Sequence, residues 1–216
     1  IGRENRIAAG VIIGGPPQHK QYGGERTLVR MGDRNILGEF ASISRAYGEG
    51  EATVVGNDNF IMSYVRVDHN CRIGNNVILV SGVGLAGHIV VDDQAYIGGQ
   101  SGLHQFVRVG RLAMVAGMAL VRQDVPPFVL AAGYPARARA LNIVGLLRAG
   151  IPPDDRAILK RAFAILNRSG LSVRQALPRL EAECGTNSLA QDLIAFIKTG
   201  NQKRGMVRWS RDRSSD

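Results

Sequence analysis

An aliphatic residue returns at every sixth position between Val55 and Pro126. Val55, Ile61, Val67, Ile73, Leu79, Leu85, Val91, Ile97, Leu103, Val109, Val115 and Val121 open twelve successive six-residue units. Four places further on, most residues are small or β-branched, as at Val65, Cys71, Val77, Val83, Ala95, Ala113 and Ala119. A helix repeats its faces near 3.6 residues and a strand near 2, so neither accounts for a period of six. Short strands joined by tight corners in a parallel β-helix do. Gly56, Asp68, Gly74, Ala86, Asp92, Gly98, Gly110 and Ala116 follow the aliphatic place, where a repeated corner is expected to need residues with conformational freedom.

The same pattern marks Ile1, Ile7 and Ile13, then Met31, Leu37 and Ile43, with polar, Gly-rich interruptions near 14–30 and 45–54 that are expected to loop out of the solenoid. The chain opens in mid-pattern, and upstream coils are expected. Taken three units at a time, the coils begin at residues 1, 31, 55, 73, 91 and 109. His69, His88 and His104 then fall near the same corner of consecutive coils spaced about 5 Å apart. Clustered histidines beside two loops point to a functional site. Pro126-Pro127 ends the repeat, which sets a β-helical region at 1–127, a helical region at 128–200 and a loose basic tail at 201–216. Residues 153–168 are amphipathic. Ser172 with Gln175, and Ser188 with Gln191, have the spacing of capping boxes, and Gly170, Gly185 and Gly200 are the expected stops.

With 216 residues and 45% hydrophobic content the chain is long enough for a folded repeat region plus a second unit. No apolar run reaches the roughly 18 residues of a membrane span, and no secretory leader pattern opens the sequence, so a cytoplasmic setting without stable membrane insertion is expected. Two cysteines, Cys71 and Cys184, do not make a disulfide framework. Of the net charge of +9, a net +6 lies in residues 141–216, which hold thirteen Lys or Arg and seven Asp or Glu. That suits an acidic partner. Nothing resembles an aromatic-rich nucleic-acid motif, and no nucleic-acid partner is expected.

Ordered motifs carry a resemblance over nearly the whole chain. Asp58-Asn59-Phe60-Ile61-Met62, Asp68-His69-Asn70-Cys71-Arg72-Ile73-Gly74-Asn75, Leu85-Ala86-Gly87-His88, Leu103-His104-Gln105-Phe106, Gln123-Asp124-Val125-Pro126-Pro127 and Asn142-Ile143-Val144-Gly145-Leu146 resemble the UDP-N-acetylglucosamine acyltransferases that begin lipid A synthesis. The resemblance implies a left-handed parallel β-helix with a small C-terminal α-helical domain, assembled as a homotrimer with sites between subunits. It implies transfer of a β-hydroxyacyl chain from acyl carrier protein to the glucosamine 3-hydroxyl of a UDP-amino sugar, without cofactor or metal. On this pattern His69 is the general base, and the Gly87 N–H steadies the oxyanion. His19, Gln21, Arg66, Asn70, His88, His104, Gln105, Asn142 and Arg148 contact substrate, and Gly117 floors the acyl groove.

Several positions depart from the family pattern. Arg66 stands where a second histidine is common, Asn70 where an acid follows the base, Gln21 where a lysine is expected, and Val144 where an acid often contacts the nucleotide. These leave open a UDP-diamino sugar acceptor, which would make the product an amide. Two further alternatives are a zinc-binding carbonic-anhydrase-like solenoid using the histidines and a non-catalytic scaffold.

Overall fold

The computed structural model describes residues 1–168, 172–200 and 204–209. Its body is a parallel β-helix whose coils stack into three sheets of eight, six and five strands. Strand registers follow the period of six. Val54 pairs with Arg72, Arg72 with Val90 and Val90 with Arg108, each eighteen residues on. The two loops lengthen the early coils, so Arg6 pairs with Ile36 thirty residues later and Ile36 with Phe60 twenty-four later.

The aliphatic places point inward and form one continuous core from Met31 and Leu37 through Val121, joined by the fifth-place residues Val65, Cys71, Val77, Val83, Ile89 and Ala95. Full burial of such side chains is worth about 1.5–3 kcal/mol each, which repetition multiplies along the solenoid. Cys71, sealed in this core, has its thiol pushed up to about 12 by burial.

The small residue behind each aliphatic place does a different job from the one its composition suggested. Gly56, Gly74 and Gly98 are not in the left-handed region; a Cβ on Gly56 would lie 2.8 Å from the carbonyl carbon of Gly74 in the next coil. Smallness there lets neighbouring backbones approach. The left-handed corner falls two residues later, and bulky side chains hold it: Tyr64, Asn70, His88, Phe106 and Met118 have φ of 61, 59, 61, 67 and 57°.

After Pro126-Pro127 the chain does not turn helical at once. A hairpin of Val129–Gly133 and Ala136–Leu141 supplies the last two strands of the eight-stranded sheet, with Leu130 beside Met114. Four helices follow: α1 (Ile143–Arg148), α2 (Pro153–Arg168), α3 (Val173–Cys184) and α4 (Ser188–Lys198). Leu159, Ala162, Phe163 and Leu166 of α2 are buried against Leu180 and Leu193 of the neighbouring helices. Ser172 and Gln175 form the capping box. The second expected box is replaced by Asn187, whose Oδ1 accepts from Leu189 and Ala190, with Ser188 already helical. Gly185 caps α3 and Thr199 caps α4; Gly170 lies outside the described residues. Within the basic tail, residues 204–209 pack back onto the fold: Met206 bridges to Asp124, Trp209 bridges to Ala138, and the Trp209 ring meets Phe163 edge-on at 5.4 Å. A large aromatic ring has apolar surface to bury, which a loose tail cannot do. The rest of the tail lies outside the described residues.

Candidate active site

Two loops and three consecutive coil corners bring five rings into one run. His19 from the loop at 16–27 stacks on Tyr47 from the loop at 45–51, with centroids 3.9 Å apart. His19 meets His69 edge-on at 5.2 Å, His69 meets His88 edge-on at 5.2 Å, and His88 stacks on Phe106 at 4.7 Å. The third histidine of the cluster is therefore His19, not His104. His104 is exposed on the column of Asp68 and Ala86, its Nδ1 3.4 Å from the Gln105 carbonyl, outside these ring contacts. Phe106 could have been found by counting, since Asn70, His88 and Phe106 are spaced by eighteen residues. Tyr47 could not, because no repeat runs through its loop.

His69 is only 7% exposed, and its tautomer follows from its neighbours. The Asn70 Nδ2 donates to the Tyr47 carbonyl at 3.0 Å, and its Oδ1 accepts from the Tyr47 N–H at 2.9 Å. A backbone N–H only donates and a carbonyl only accepts, so the orientation of this amide is fixed. The Asn70 Oδ1 lies 2.9 Å from Nδ1 of His69. That ring nitrogen must carry the proton, which leaves the lone pair on Nε2. The free nitrogen lies over Gly87: a Cβ on Gly87 would stand 2.5 Å from Nε2. The Gly87 N–H has no acceptor among the described residues, while its carbonyl accepts from Phe106. A basic nitrogen and a free backbone donor thus sit side by side.

Charge around the base is balanced locally. Arg66 grips Asp68 with both arms, Nε to Oδ1 at 3.0 Å and Nη2 to Oδ2 at 2.6 Å, which raises the affinity of the Arg66 guanidinium for its proton. Much of that fork is committed to Asp68, although Arg66 remains about half exposed. Burial, then the neighbouring His69 and His19, hold the His88 imidazole below the usual histidine range. Among the described residues no three His, Cys, Asp or Glu side chains form a group that could hold a metal ion.

The other expected residues are placed as follows. Gln21 accepts from the Tyr47 hydroxyl at 3.3 Å, and its N–H donates to Nδ1 of His19 at 3.3 Å. Gln105 lies beside Gly87 on the next coil, exposed. Asn142 is buried and structural: its Oδ1 caps α1 by accepting from Gly145 at 3.0 Å, and its Nδ2 donates to the Leu112 carbonyl at 2.9 Å. An uncapped helix start leaves backbone donors unpaired, and Asn142 answers that need. Arg148 is exposed in the last turn of α1, favourable for a cation near a helix C-terminus. No described hydrogen bond or ring contact joins Asn142 or Arg148 to the histidine cluster. Gly117 is exposed at a corner above Gly99.

From Arg66 the outer face of the six-stranded sheet continues through Gly84 and Gly102 to Leu120. A Cβ on Gly84 would meet nothing within 4 Å. With Gly99 and Gly117 at the adjoining corner, the wall below the base is nearly free of side chains.

Known proteins resemble this chain in sequence and in overall fold. Residues 124–207 match the family described as UDP N-acetylglucosamine O-acyltransferase, domain 2, and residues 52–87 match the bacterial transferase hexapeptide repeat. An acyl-(acyl-carrier-protein)–UDP-N-acetylglucosamine O-acyltransferase of Gloeothece citriformis is 46% identical over 91% of this chain and 71% of its own length. The Synechocystis protein of the same name is 42% identical over 95% of this chain and 74% of its own. The crystal structure of the Francisella novicida UDP-N-acetylglucosamine acyltransferase superposes with a TM-score of 0.92 at 35% identity, covering 99% of this chain and 78% of that one.

Proposed function

The chain belongs to the acyl-(acyl-carrier-protein)–UDP-N-acetylglucosamine O-acyltransferase family, and we propose that His69 and Gly87 carry that reaction here. It is an enzyme that moves an acyl group from acyl carrier protein to a UDP-amino sugar. His69 Nε2 takes the proton of the glucosamine 3-hydroxyl as the oxygen attacks the thioester carbonyl. The new C–O bond makes a tetrahedral oxyanion, which the Gly87 N–H stabilises. When the intermediate collapses, the C–S bond breaks and the thiolate recovers the proton from His69. The observation that carries this assignment is the fixed Nδ1–H tautomer of His69, which leaves Nε2 unprotonated beside a free backbone donor.

His19, Gln21, His88 and Gln105 surround this point and hold the acceptor, with His104 and Arg66 at its margin. Asn142 supports α1, which carries Arg148 toward the nucleotide phosphates, where a guanidinium fork suits the ligand. The wall of Gly84, Gly102, Gly99 and Gly117 gives a β-hydroxyacyl chain a flat path away from the base. His69→Ala is expected to abolish acyl transfer while the fold and its melting temperature persist. Retention of the wild-type rate would overturn the assignment. An assay with both amino-sugar nucleotides separates ester from amide formation.

We infer the partners and setting from other surfaces of the chain. A cavity of about 1550 Å³ at the helical end is lined by Arg137, Arg139, Lys198 and Arg208 over Phe163 and Trp209. This basic face suits an acidic carrier protein, and its attraction should weaken as salt rises. Phe40, Tyr64 and Met118 stand 56%, 65% and 77% exposed along one corner. Exposed apolar side chains on that corner fit packing of copies into a homotrimer, with the base in the cleft between them. Light scattering should then give the mass of three chains of 23.3 kDa. Among the described residues no helix is long and apolar enough to cross a membrane, and a cytoplasmic reaction suits the carrier-protein donor.

A further inference from the structure

Tyr47 touches both halves of the site by different means. Its main chain is gripped by the Asn70 amide, N–H to Oδ1 at 2.9 Å and carbonyl to Nδ2 at 3.0 Å, and the same Oδ1 faces the base. Its side chain faces the other way in function: the ring stacks on His19, and the hydroxyl donates to Gln21. The loops that carry these residues are tied to each other. Gly48 donates to Glu25, Arg26 donates to Glu49, and Arg45 donates twice to the Tyr22 hydroxyl. Asn70 is tied from below as well, its N–H donating to the Thr53 hydroxyl at 2.9 Å.

This arrangement explains the amide at position 70. A carboxylate could accept from the Tyr47 N–H and from His69, but it would set an oxygen against the Tyr47 carbonyl. Only a side chain with one acceptor and one donor satisfies Tyr47 and the base together. Asn also tolerates the left-handed backbone that this corner demands, φ 59°.

We propose that Tyr47 is a positioning residue for acyl transfer: its main chain, acting through Asn70, fixes the tautomer of His69, while its ring sets His19 and Gln21 against the acceptor sugar. The proposal rests on His69 as the base and on His19 and Gln21 as acceptor contacts. The two jobs are separable, because a side-chain substitution leaves the main-chain bonds in place. The charged and titratable groups around His69 are His19 and Tyr47 from the loops, His88 from the next coil, and Asp68 with Arg66 on its own coil.

Steady-state kinetics of the full chain test this. Tyr47→Ala should raise KM for the sugar nucleotide about three- to tenfold, the worth of one ring stack, with kcat and its pH profile held. Tyr47→Phe keeps the stack and should return most of that loss. Asn70→Ala should lower kcat about a hundredfold through a misplaced base, with KM for the sugar little changed. Asn70→Asp should recover part of the rate and move the acidic limb of kcat/KM to higher pH, since a carboxylate favours the charged imidazole. If His69→Ala is inactive but Asn70→Ala keeps its kcat, or Tyr47→Ala loses kcat rather than acceptor affinity, the proposal fails and the base assignment stands. If His69→Ala keeps its rate, both fall.

Discussion

The imidazole of His69 occupies the space that a side chain at Gly87 would need. A Cβ at Gly87 would stand 2.5 Å from Nε2 and 2.9 Å from Nδ1, closer than any relaxed contact. Gly87→Ala must therefore push the His69 ring off the line set by Asn70. Its backbone is not in the left-handed region, so the substitution does not strain the main chain itself. The expected outcome is a loss of acyl transfer of about a hundredfold or more, with a melting temperature close to that of the parent. Full activity in this variant would show that the ring does not work from this position.

His88 offers a pH test. Burial and the two neighbouring imidazoles make it harder to charge in the folded chain, with Glu51 opposing them. The unfolded chain has no such restraint, so it binds more protons as pH falls through the ordinary histidine range. Stability is then lost as pH drops, beginning near the unfolded value of about 6.5 and ending once His88 charges in the fold. His88→Gln removes this contribution. Its melting temperature should fall less than the parent's between about pH 7 and pH 5. Parallel curves for the two proteins would contradict the buried, mutually repelling arrangement.

Much of the fold was legible because the solenoid repeats the same solution in every coil. Twelve aliphatic places in register are enough to read out Ile61, Leu79, Leu85 and Ile97 as core, and counting by eighteen sets His88 one place past His69 at the same corner. What the count could not reach lies where the repeat is broken or disguised. The loops that hold His19 and Tyr47 have no period, and their ring contact depends on three-dimensional packing alone. The left-handed corners are hidden because Tyr64, His88, Phe106 and Met118 hold a conformation that sequence rules assign to glycine. The hairpin at 129–141 is masked by Pro126-Pro127, which end the repeat without ending the sheet.

Gly117 tests the acyl path. Gly117 itself is not in the left-handed region, and a Cβ there would meet the Gly99 carbonyl oxygen at 3.3 Å, a tight contact that a shift of a few tenths of an ångström relieves. Gly117→Leu should therefore fold. On the proposed path a branched side chain would stand up from an otherwise bare wall and shorten the space for the chain. The expected result is a shift of kcat/KM toward shorter β-hydroxyacyl donors in an assay over a series of chain lengths. An unchanged preference would remove Gly117 from the groove.

Asn59 stands in an inward place that its neighbours fill with apolar side chains, and its amide is part of a ladder. Its Nδ2 donates to the Asn35 Oδ1 at 2.9 Å, its own N–H donates to the same oxygen at 3.0 Å, and its Oδ1 accepts from the Val77 N–H at 2.8 Å. All of this is sealed from water, with Asn59 1% and Asn35 0% exposed. Asn59→Val fills the volume but leaves the Val77 N–H without its acceptor and takes one donor from Asn35. A buried polar group left unpaired costs about 1–3 kcal/mol, and a loss in that range is expected, since the Asn35 Oδ1 keeps the backbone N–H of residue 59. Asn57 makes a parallel ladder with Asn75 and Asp93 on the half-exposed side of the same coil. Water can replace its partners, and Asn57→Ala should cost about 1 kcal/mol or less. Thermal unfolding of the two variants side by side checks the difference. Equal losses would mean that the ladder, and not its burial, sets the cost.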